Sequence, residues 1–133
     1  MNGMFNWKAV ITGFIVTLIL LPLLNDIAPI IGGIIVGYMV GGNYRNGIIN
    51  SGFSVGLSAL VYAIYIVLSD PGSLIAKGTS IHVAPELAII LTIILAIFGG
   101  LVLGLIGGII GVTIKKKQYT KKILNSNCYL KPI

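Results

Sequence analysis

Residues 86–114 read ELAIILTIILAIFGGLVLGLIGGIIGVTI, and this stretch decides the fold. It holds one charge, Glu86, at its first position. A bilayer-spanning helix needs about 20 mostly apolar residues, so the stretch is long enough to cross with tilt. Working outward, three further apolar segments fit the same rule: about residues 7–24, 26–43 and 48–69. The second is the shortest, with its apolar core at 28–42. It would cover the hydrocarbon only if it ran from near Asp26 past Gly42, or if the bilayer thinned around it. The expected fold is all-α: one integral membrane domain, 1–133, of four transmembrane helices in two hairpins.

The composition agrees. Of 133 residues, 56% are hydrophobic and only 9% are charged, against roughly 25% charged in a soluble domain. Mean hydropathy is +1.04. Twelve charged side chains cannot solvate a free globule of this size, which excludes a soluble enzyme. Lys8 followed by an apolar run resembles a secretion signal. No small-x-small cleavage site follows, however, and Pro22 and Asp26 lead into another apolar segment, so residues 7–24 are read as an uncleaved span.

The net charge of +6 is unevenly placed. Four spans would put Lys8, Arg45 and the tail lysines, Lys115, Lys116, Lys117, Lys121, Lys122 and Lys131, on one side. Asp26, Asp70, Lys77 and Glu86 would lie on the other. The positive-inside rule then makes both termini cytoplasmic in a multi-pass cell-membrane protein. Residues 115–133 form a basic cytoplasmic tail. Its lysines Lys115, Lys116, Lys117, Lys121 and Lys122 are candidates for lipid headgroups, with Tyr119 and Tyr129 as interfacial anchors.

Pro29 and Pro85 stand where the second and fourth spans open, in the first turn that tolerates proline. Both spans then carry glycine blocks, so the chain reads as two helical hairpins in tandem. The loop at 42–47 reads as a tight turn, and Asp70 to Gly78 as a short capped helix.

Between membrane helices, small residues four apart permit the close approach that association needs. Candidate packing positions are Gly33, Gly37 and Gly41 in the second span, Gly52 and Gly56 in the third, and Gly100, Gly104 and Gly108 in the fourth. The fourth row extends back through Ala96, Thr92 and Ala88 to Ala84. It serves either intramolecular packing or a homo-oligomer seam. The third span carries a hydroxyl stripe, Ser51, Ser54, Ser58, Tyr62, Tyr65 and Ser69, on one face. These hydroxyls either bond backbone carbonyls or line a pore for a small solute.

No Asp, Glu, Lys, Arg or His falls in the interior of any span, which argues against a proton-coupled transporter. Nothing catalytic, metal-binding or cofactor-binding is expected. The lone His82 and the lone Cys128 fall on opposite sides, and no phosphate loop or dinucleotide fingerprint occurs. Asp70, Ser73, Ser80, His82 and Glu86 share one loop and read as solvated polar groups. The expected partners are the lipid bilayer and either further copies or a larger membrane complex, with no nucleic acid.

The run Asn6-Trp7-Lys8-Ala9-Val10-Ile11-Thr12-Gly13-Phe14, followed by Gly32-Gly33-Ile34-Ile35-Val36-Gly37-Tyr38, resembles a family of small archaeal four-span membrane proteins catalogued as a domain of unknown function. The resemblance covers about residues 6–114 and implies a plasma-membrane location. It carries over no activity and no catalytic residue. The sequence therefore leads to a non-enzymatic structural or accessory role, with a small oligomeric channel or passive permease as the alternative.

Overall fold

A computed structural model describes residues 5–69 and 84–128. Among them the chain is all-helical: α1 (Trp7–Leu24), a single 3-10 turn (Asn25–Ile27), α2 (Ala28–Val40), α3 (Tyr44–Ser69) and α4 (Pro85–Cys128). The expected short helix between Asp70 and Gly78 lies outside the described residues. Three stretches are long and apolar enough to cross a membrane: Trp7–Leu24, Tyr44–Ser69 and Glu86–Leu124. α2 is apolar but has only 13 residues, or about 20 Å of helix.

Each helix end has a local cause. Asn6 caps α1 by accepting from the Ala9 N–H at 3.3 Å, which satisfies one of the donors a helix start leaves open. Pro22 in the last turn weakens that end. Asn25 then takes φ 45° and closes it, its N–H bonding the Leu21 carbonyl. α2 starts at Ala28 with Pro29 in its first turn.

Three boundaries differ from the sequence reading. The second helix occupies 28–40 rather than 26–43, because residues 25–27 are spent in the 3-10 turn. α3 starts at Tyr44 rather than 48, because the Asn43 carbonyl already accepts the Gly47 N–H at 3.1 Å. The turn shrinks to Gly41–Asn43, with both glycines at positive φ (45° and 92°), where a side chain would be strained. α4 does not stop at Ile114. Residues 115–128 contain no Gly or Pro, so nothing breaks the helix and it continues through the lysines to Cys128.

Helix directions follow from which residues meet. Asn50 accepts from the Asn6 N–H at 2.8 Å, and Ser54 donates to the Val10 carbonyl at 2.8 Å. α1 and α3 are thus parallel, in constant register. Gly100, Gly104 and Gly108 face Ala59, Val55 and Ser51 in that order, so α4 runs antiparallel to α3. Gly33 meets Gly107 and Gly37 meets Gly108 and Gly111, so α2 runs with α4. Direction alternates along the chain, and the starts of α1 and α3 share one end with the finish of α2. Ala9, Val10, Val36, Val55, Ala59, Ala63 and Val112 form the small buried core.

Candidate functional site

The contact between α2 and α4 is backbone on backbone. A Cβ built on Gly33 would stand 2.7 Å from the Gly104 carbonyl oxygen and 3.1 Å from Gly107 Cα. One on Gly37 would stand 2.9 Å from Gly108 Cα, and Gly111 lies against the Ile34 carbonyl and Tyr38 nitrogen. Only glycine fits such crossings, and the gain is dispersion over two bare helix faces.

The contact between α3 and α4 is of another kind, small side chain against glycine. Gly100 takes the Ala59 methyl, Gly104 the Val55 Cβ and the Ser51 carbonyl, and Gly108 the Ser51 side chain. Gly52 and Gly56 make room for Leu105 and Leu101. Gly41 lies past the last turn of α2, where it closes the helix against the Lys115 side chain. In the first half of α4, Ala88, Thr92 and Ala96 are half-buried, and Ala84, just before the helix, is exposed. Thr92 and Ala96 edge a half-open, largely apolar cavity of about 290 Å³ between the four helices, into which Tyr62 also faces.

Gly111 was not singled out by the sequence reading, and Gly32 and Gly107 stand there only within the glycine blocks, whereas Gly13 belongs to the small-residue row Ala9, Gly13 and Thr17 of the first span. Gly13 receives Val36 and Ser54, and Gly32 receives Thr17. The signal was present, since Gly107 and Gly111 are themselves four apart. The longer row through Gly104 draws the eye, and a helix pressed by two neighbours needs two rows.

Ser51, Ser54 and Ser58 are fully buried, and each hydroxyl donates to a backbone carbonyl. Ser51 bonds Ile48 at 3.0 Å, Ser54 bonds Val10 on α1, and Ser58 reaches Val55 at 2.9 Å and Ser54 at 3.1 Å. Tyr62 and Tyr65 stack on one another at 6.3 Å, with Tyr65 largely exposed. Asn50, also buried, donates to the Asn46 carbonyl while holding the start of α1.

The lysines begin where the apolar run ends. Lys115 Nζ donates to the Met39 carbonyl at 3.2 Å, a favourable place for a cation because the last carbonyls of α2 carry partial negative charge. Lys116 lies 3.9 Å over the Tyr44 ring. The Tyr38 hydroxyl donates to Gln118 Oε1 at 2.8 Å, tying α2 to the extension of α4. Lys117, Lys121 and Lys122 are exposed, as is Tyr119. Asp70, Ser73, Ser80, His82, Tyr129 and Lys131, and the side chain of Cys128, lie outside the described residues.

The model of a family of unknown function, DUF5518, matches residues 7–114, and the chain belongs to that family. No curated protein and no solved structure matches it.

Proposed function

We propose that this DUF5518 member is a four-pass membrane protein with a non-enzymatic structural or accessory role. Its role is exercised through tight packing of glycine-rich helices. The observation that carries the reading is the α2–α4 crossing, where Gly33, Gly37, Gly107 and Gly111 bring two backbones together. Such a seam is useful in lipid, where burying leucine against leucine gains little over leucine against acyl chains. The alternation of helix directions supports four crossings. The 3-10 turn and α2 together reach about 26 Å, close to a hydrocarbon core of about 30 Å. Lys8, Arg45 and the α4 lysines gather at one end of the bundle, which favours cytoplasmic termini.

The buried hydroxyls support packing over conduction within one chain, since each already serves a carbonyl. Native mass after gentle extraction from the membrane, combined with solute flux in vesicles, tests the reading. Co-purifying subunits or a self-association without flux fit it. A solute flux that Ser58→Ala abolishes without unfolding the protein would move the assignment to the channel alternative.

A further inference from the structure

At the end of α2, four residues of α4 recur on one helical stripe: Lys115, Gln118, Tyr119 and Lys122. With Tyr38 they line an open pocket of about 220 Å³. Its chemistry is one-sided. Two lysines, a glutamine and two tyrosines line it, and no carboxylate among the described residues lines it with them. Among the described acidic residues, Asp26 precedes α2 and Glu86 opens α4, both at the opposite end of the bundle. The negative end of α2 would repel an anion, but Lys115 is already bonded to its Met39 carbonyl and keeps two further N–H donors. Gln118 is held through Oε1 by the Tyr38 hydroxyl, which turns its amide N–H groups to other acceptors.

We infer that this pocket is a site for a phosphate-bearing anionic group, delivered by the headgroup of a membrane lipid. Depth selects the lipid over a free anion. The pocket opens immediately after Ile114, the last residue of the apolar run, between two tyrosines of the kind that sit at headgroup level. Basic pockets between membrane helices on the cytoplasmic side suit such headgroups. The inference rests on the membrane reading above but fails separately, because its controls keep the bundle unchanged.

The test uses the full chain in detergent micelles carrying phosphatidylglycerol or phosphatidylcholine, with retained lipid counted by native mass spectrometry. Lys115→Gln with Lys122→Gln removes two charges inside the pocket. Lys117→Gln with Lys121→Gln removes two charges outside it. At about 1 kcal/mol per lysine, the first pair should weaken phosphatidylglycerol retention more than about tenfold. The second, which leaves both pocket lysines in place, should weaken it clearly less than the first, and phosphatidylcholine should be retained poorly throughout. Lys122→Gln alone, which breaks no bond within the bundle, should cost about fivefold and keeps the test valid if the Lys115 variant misfolds. Equal losses for the two pairs would reduce the site to diffuse surface charge and overturn the inference. Displacement of the lipid by inorganic phosphate would overturn the lipid assignment.

Discussion

Replacing Gly107 by alanine adds one methyl group where the structure leaves no place for it. The new Cβ would stand 2.5 Å from the Ile30 carbonyl oxygen, 2.9 Å from Gly33 Cα and 2.9 Å from the Ile34 nitrogen. Ordinary contact begins near 3.4 Å. All three neighbours are backbone, so no rotamer change relieves the clash. α2 must move off α4 by about 0.5–1 Å, which forfeits a quarter to a half of the dispersion energy at each contact along the seam. Overpacking of this kind costs about 1–3 kcal/mol, and the better helix propensity of alanine returns about 0.5–1 kcal/mol. The net loss is about 0–2.5 kcal/mol. Gly99→Ala is the matched control, because a Cβ there meets nothing within 4 Å. It should be neutral or stabilising by up to about 1 kcal/mol. Reversible unfolding in mixed micelles, followed by circular dichroism, separates the two. Equal stabilities for Gly107→Ala and Gly99→Ala would refute the backbone seam.

Other substitutions probe other layers of the bundle. Ser54→Ala loses the bond to the Val10 carbonyl but leaves no clash, so it should cost under about 1 kcal/mol, as interhelical bonds in membranes typically do. Asn50→Ala should cost about 0.5–1.5 kcal/mol, because it removes the part-buried bond that Asn50 accepts from the Asn6 N–H at the start of α1; the same unfolding assay reads both. A cysteine introduced at Ser73 should react with an impermeant thiol reagent added outside intact cells, while Cys128 should not; the reverse labelling would invert the proposed orientation.

The helical class and the positions of the long apolar segments were legible because length and hydropathy can be read along the chain in one dimension. A run of about 20 residues without charge has few other homes. The prolines at 29 and 85 likewise marked helix starts, since proline fits a first turn whatever surrounds it. Boundaries were less legible. Whether Tyr44-Arg45-Asn46-Gly47 is loop or helix depends on a hydrogen bond from Gly47 back to Asn43, not on hydropathy. The lysine run after Ile114 changes side-chain polarity but not backbone propensity, so the helix passes through a charge boundary that looks like an end.

The sequence by itself determined that the chain is helical, apolar, rich in close-packing residues and basic at one end. Those properties are sums over residues or spacings along a single helix. The tertiary structure alone decided which glycine meets which partner. Gly104 serves α3 and α2 together, Gly107 and Gly111 serve α2, and Gly41 serves the end of its own helix. It also decided that Lys115 and Tyr38 share one pocket and that Ser54 bonds across to α1. Spacing fixes the face of a helix a residue occupies; only the crossing of two helices fixes what that face touches.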